Sequence, residues 1–161
     1  MASTTSPTST NARALLSSIN RCIEAAADAQ KGYAVAAADV RDGALKTLFQ
    51  LRSDERAAFV VALQRAVSEL GGWPENQGTV EGALHRAWME ARLAVEGRLD
   101  RTVLLECERG ERAGLKVYEA ALWLASSNPD VPQRVRETIG SQLAAIRDAL
   151  EDLAKRLTHA S

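Results

Sequence analysis

The chain has 161 residues, with 20 Lys plus Arg against 21 Asp plus Glu and a formal net charge of −1. That length allows one domain with a sizeable core, and the even charge gives no electrostatic reason to expect nucleic acid or an anionic membrane as partner. Two cysteines are too few for a disulfide framework, and the 46% hydrophobic content with only 4 Pro favours helices.

Residues 1–11, MASTTSPTSTN, read as a disordered Ser/Thr-rich tail. They have neither the apolar run of a secretory signal nor the Arg-rich amphipathic character of a transit peptide. No apolar run in the chain approaches the roughly 20 residues that a membrane span needs. The expectation is a cytoplasmic protein with no membrane and no nucleic-acid partner.

The first helix is expected over 12–40, capped by Thr10 or Asn11. Its apolar stripe is Leu15, Ile19, Cys22, Ala26, Tyr33, Ala37 and Val40. Asp42-Gly43 makes a short turn, so a second helix over 44–70 returns antiparallel. Leu45, Leu48, Phe49, Phe59, Leu63, Ala66, Val67 and Leu70 face inward, with Arg52, Glu55 and Arg56 on or beside that stripe. Gly71-Gly72-Trp73-Pro74 ends it, because Gly supplies left-handed φ and Pro cannot continue a helix.

A polar loop then leads to Thr79 and a short amphipathic helix over 79–97, docked through Trp88. Trp73 and Trp123 also read as packing residues, Trp73 closing the end of the second helix. A long helix over 100–126 follows, and after the Ser126–Asp130 turn a last one over 132–158, with Pro132 in its first turn. The last stripe is Val135, Ile139, Gln142, Ile146, Ala149, Leu150, Leu153 and Leu157.

Two long hairpins joined by a long crossover make an all-α, ferritin-like four-helix bundle. An internal repeat agrees. One constant shift along the chain lays Ile19 on Leu104, Cys22 on Cys107, Tyr33 on Tyr118 and Ala36 on Ala121. In each half Cys and Tyr lie about three helical turns apart, so each pair shares a face. Cys22, Cys107, Tyr33 and Tyr118 therefore read as structural core residues, the cysteines reduced.

Within the helix over 100–126, Leu104, Glu108, Glu111, Leu115, Tyr118 and Leu122 recur at alternating intervals of four and three. Two carboxylates thus fall in an apolar stripe. A di-iron bundle requires a Glu on each of two helices and Glu-x-x-His on each of the other two, all pointing inward. This chain has no Glu-x-x-His. Its histidines are His85, on the crossover helix, and His159, in the tail. Glu81 and His85, four apart, read as a solvated helix face.

The expectation is a polar core layer of Gln30, Arg52, Glu55, Glu111 and Gln142, in place of a metal layer. Arg52 and Arg56 are the partners available to its carboxylates, because an isolated buried charge costs several kcal/mol. Glu55, Glu108 and Glu111 are the candidates if a metal binds. No catalytic residue and no cofactor are expected, with iron or manganese as the alternative. There is no Gly-rich phosphate loop, no Cys-x-x-Cys and no Ser/His/Asp set.

Several segments together resemble a bacterial ferritin-like family of unknown function, domain of unknown function 2383, over roughly residues 14–157. They are Lys31-Gly32-Tyr33, Leu45–Phe49, Leu70–Pro74, His85–Glu90, Glu108–Glu111 and Tyr118–Leu122. The chain departs from the family at Lys31, where an acidic residue is common, and at Leu150, where a His is frequent. The resemblance implies the fold rather than an activity. The functional expectation is a non-catalytic stress-related or protein-interaction module with a degenerate di-iron site, whose partner is another protein or a second copy. The alternative is a metal-binding protein or oxidase using the core carboxylates.

Overall fold

The computed structural model describes residues 7–76, 78 and 100–159. They form four helices: α1 (Pro7–Asp39), α2 (Gly43–Glu69), α3 (Asp100–Ser126) and α4 (Gln133–His159). No strand occurs among the described residues. The all-α four-helix expectation is met. The short helix expected over 79–97, with Glu81, His85 and Trp88, lies outside the described residues.

Helix α1 starts at Pro7, so residues 7–11, expected in the tail, are helical. Proline is favoured at a first helical position because its fixed φ suits the helix and the missing N–H has no intrahelical partner there. Helix α2 is capped by Asp42, whose carboxylate accepts from the Leu45 N–H at 2.9 Å. At its other end Gly71 takes φ +78°. The Gly72 N–H then donates to the Val67 carbonyl, and that of Gly71 to Ser68. This closing pattern satisfies carbonyls that the helix end leaves open.

Contacts between helices fix their directions. Tyr33 meets Glu111 while the earlier Cys22 meets Val117, so α1 and α3 run antiparallel. Phe59 meets Gln142 while Glu69 meets Arg134, so α2 opposes α4. Helix α1 packs on α2 and α3, and α4 on α3 and α2.

The interior follows a strict seven-residue interval. Ile19, Ala26 and Tyr33 are buried on α1, with Val40 just past its end, and Leu104, Glu111, Tyr118 and Ala125 on α3. Phe49, Arg56 and Leu63 do the same on α2, and Val135, Gln142 and Ala149 on α4. A sustained interval of seven keeps one seam inward along slightly supercoiled helices. The apolar residues divide into two clusters. One surrounds Ile19, Ile23, Leu63, Val67, Tyr118, Ile139 and Leu143. The other surrounds Tyr33, Ala37, Phe49, Val103, Leu104 and Leu153.

Two tryptophans correct the packing expectation. Trp73 is 91% and Trp123 68% exposed. The Trp73 carbonyl accepts from the Asn20 amide at 3.0 Å, and the Glu75 N–H donates to the same side chain at 2.8 Å. The turn is therefore held through backbone, and the indole is not needed. Trp123 falls between the inward positions Ala121 and Ala125, on the outer side of α3.

The first residue of α3 also ties the two hairpins together. The Asp100 carboxylate accepts from the Arg41 N–H at 2.8 Å and the Asp42 N–H at 2.9 Å. Asp100→Ala is expected to lower unfolding free energy by about 1–2 kcal/mol, the scale of charge-assisted hydrogen bonds near solvent, as measured by urea denaturation.

Candidate functional site

Arg56 sits at an inward position of α2, seven residues from both Phe49 and Leu63, and is only 1% exposed. Its Nη2 donates to Glu111 Oε1 at 2.6 Å, and its Nη1 to Glu55 Oε2 at 2.5 Å. Glu111, on α3, is 3% exposed. The Tyr33 hydroxyl, on α1, donates to the same Glu111 oxygen at 2.7 Å. Three helices thus meet at one carboxylate oxygen. The guanidinium carbon lies 4.8 Å from the Phe59 ring centre and 5.9 Å from that of Tyr33, within reach of cation–π attraction.

The fourth helix enters through Gln142. The Tyr118 hydroxyl donates to its Oε1 at 2.9 Å, and its Nε2 donates to the Phe59 carbonyl at 3.4 Å. Nearby, the buried Ser53 hydroxyl donates to the Gln30 carbonyl at 2.9 Å. This polar belt lies between the two apolar clusters.

Each polar candidate has a definite place. Glu111 and Gln142 are buried in the belt. Glu55 is half-buried and reaches Arg56 at its edge. Arg52 is not in the belt: it is partly exposed and pairs with Glu55 at 3.3 Å. Gln30 contributes its backbone carbonyl, while its side chain is half-buried and makes no hydrogen bond among the described residues. Glu108 does not join the centre either. It turns aside to pair with exposed Arg112 at 2.6 Å, because it lies three residues short of the inward position at 111. The buried glutamate that the sequence reading passed over is Glu106, paired with Arg109 at 3.5 Å. Arg56, expected as a partner available to the carboxylates but not within the polar layer itself, stands at its centre, and its interval from Phe49 and Leu63 carries that signal.

Burial and charge set the proton affinities. Burial alone would lower the Arg56 guanidinium, but Glu111, then Tyr33 and Glu55, outweigh it and hold it above its ordinary value. Burial first, then the Glu111 charge, pushes the Tyr33 phenol well up. Burial does the same to Tyr118. The Cys22 thiol is pushed up to about 12 by burial, and that of Cys107 still further by burial and the Glu111 and Glu106 charges. Both cysteines are free, and these thiols are poor nucleophiles.

The donor set can be tested against a di-metal centre. Such a centre needs carboxylates and imidazoles converging on an open position. Here a guanidinium, which carries no lone pair for a metal, stands between Glu55 and Glu111. No group of three His, Cys, Asp or Glu converges among the described residues. The described histidine, His159, lies at the end of α4 against the Lys155 carbonyl. These residues do not fit a di-metal site. No helix among the described residues is long and apolar enough to cross a membrane.

Removing one charge of the pair strands the other. Glu111→Ala is expected to cost about 3–5 kcal/mol of unfolding free energy, whereas Arg56→Met, Glu111→Leu and Tyr33→Phe together, which also remove the hydroxyl that donates to Glu111, should lie near wild type. Chemical denaturation of the two variants separates these outcomes. Both tyrosines of the chain are buried and their phenols titrate well above the ordinary 10. A raised folded-state value means that the fold holds the protonated form, so this stability is present below the ordinary tyrosine value and is lost as pH rises beyond it. Tyrosinate absorbance should therefore appear together with loss of helical circular dichroism, in one cooperative step.

Comparison with known proteins identifies the family and the fold. The family model described as "Domain of unknown function (DUF2383)" matches residues 14–123. Among solved structures, the chain resembles a ferritin-like, diiron-carboxylate protein from Bacillus anthracis str. Ames. The TM-score is 0.73 and the identity 18%, covering 91% of this chain and 97% of that one. At that identity the likeness concerns the fold, which is ferritin-like. A search of curated proteins finds no match.

Proposed function

Since the chain belongs to the family described as "Domain of unknown function (DUF2383)", whose description carries no activity, we propose its role from the site: a non-catalytic ferritin-like bundle with a degenerate di-iron site. It acts in the bacterial cytoplasm as a stress-related or protein-interaction module, with another protein or a second copy of itself as partner. The observation that carries this reading is the Arg56 guanidinium bound between Glu55 and Glu111. A cation already neutralises those carboxylates, and it brings hydrogen-bond donors where a metal needs acceptors.

The surrounding chemistry supports the same reading. The Tyr33 hydroxyl is committed to Glu111 and the Tyr118 hydroxyl to Gln142, so both buried phenols have partners. The neighbour from Bacillus anthracis is titled a diiron-carboxylate protein. On our reading the present chain keeps that fold and uses its centre to hold the helices in place. Leu51, Val61, Trp73 and Trp123 are exposed apolar side chains, which supports contact with a partner.

Elemental analysis of full-length protein, expressed with added iron and manganese, tests the proposal. The expected result is metal far below one ion per chain, with no oxidation of ferrous iron above buffer. Stoichiometric iron or manganese that is lost in Glu111→Ala would overturn it in favour of a metal-binding protein or oxidase.

A further inference from the structure

The centre has the make-up of a binding site whose ligand is covalently part of the chain. A buried ion pair contributes little net stability against well-packed apolar residues, so its chemistry deserves a separate explanation. Glu55 Oε2 and Glu111 Oε1 approach the guanidinium from two helices, at 2.5 and 2.6 Å. The Phe59 ring lies 4.8 Å from the guanidinium carbon. Tyr33 donates to Glu111 and so holds that carboxylate in position. Paired carboxylates with an aromatic ring at stacking distance favour a planar, delocalised cation over a compact ion. Glu55 is 36% exposed on its side chain, which gives the centre an edge toward solvent. Arg56 Nε, the atom that joins the planar group to its aliphatic stem, has no hydrogen-bond partner among the described residues. The fit is therefore to the two terminal amino groups, and the stem is a tether.

We propose that Glu55, Glu111, Tyr33 and Phe59 form a guanidinium-binding site which Arg56 fills from within the chain. Truncating Arg56 opens that site to free guanidinium from solvent. The inference rests on the reading that the centre is not a metal site, and goes further by naming the class of cation it accepts. A divalent metal is a poorer occupant, because two carboxylates and a donating phenol leave most of its coordination positions unfilled.

The test uses full-length Arg56→Ala, followed by thermal unfolding and helical circular dichroism in millimolar guanidinium, far below denaturing concentrations. A ligand that binds only the folded state raises stability with its concentration. The expected result is a saturable gain that restores at least half of the midpoint lost on truncation, with no gain in wild type or in Arg56→Met, whose side chain fills the space. If Arg56→Ala is unfolded alone, recovery of helix content on adding guanidinium is the same positive result. Failure to gain stability or helix, an equal gain with manganese, or an equal gain in Arg56→Met would each overturn the proposal. Metal content of the wild type stays the separate readout of the non-metal reading. A metal-free wild type beside an unresponsive Arg56→Ala defeats this inference alone.

Discussion

The ion pair between Arg56 and Glu111 is the constraint around which the interior is arranged. Both side chains are almost fully removed from water, and neither charge is tolerable there without the other. Everything nearby serves to satisfy them. Tyr33 donates to the carboxylate, Glu55 takes the second amino group, and Phe59 lies close to the guanidinium. Because the partners stand on α1, α2 and α3, satisfying one ion pair fixes the relative position of three helices. The second polar link, Tyr118 to Gln142, adds α4 to the same level.

The fold was legible because it rests on repetition. Every long helix carries a recurring apolar stripe, and turn chemistry at Asp42-Gly43, Gly71-Gly72 and Pro129–Pro132 divides them. The centre was legible only in part, because a spacing of three or four leaves the inward direction uncertain by one residue, whereas a spacing of seven does not. Glu108 and Glu111 both suit the looser pattern, yet only Glu111 lies seven from Leu104 and from Tyr118. Spacing alone does not separate Arg56 from Arg52: Arg56 lies seven from Phe49 and Leu63, and Arg52 lies seven from Leu45 and Phe59. What distinguishes Arg56 is that both of its neighbours in the series are fully buried. Gln30 contributes its backbone carbonyl rather than its amide, which side-chain type alone does not reveal. The tryptophans misled for another reason: size suggests burial, but their positions in the helix and turn face outward.

The likeness to a solved ferritin-like structure concerns the fold, and the content of this centre is read from the chain's own residues. A bundle whose middle layer is polar must neutralise the charges that it buries, and here Arg56 does so for Glu111. The sequence repeat shows how unequal the two halves have become. Tyr33 and Tyr118 correspond, but one meets a carboxylate and the other an amide. The residue that corresponds to Glu111 in the first half is Ala26, buried and small. The buried charge pair is therefore made across the halves, by Arg56 of the first and Glu111 of the second.

The seven-residue interval has a further consequence, for alignment. Slide one helix past its neighbour by two turns, and apolar side chains meet apolar side chains again, so the hydrophobic seam by itself permits several nearly equivalent alignments. The polar belt does not. A slipped α2 would bring Phe49 or Leu63 to the level of Glu111 and push Arg56 into one of the two apolar clusters, leaving two charges stranded at once. The belt thus works as a key that admits one setting of the helices and rejects the rest, a discrimination that a wholly apolar interior of the same volume would lack.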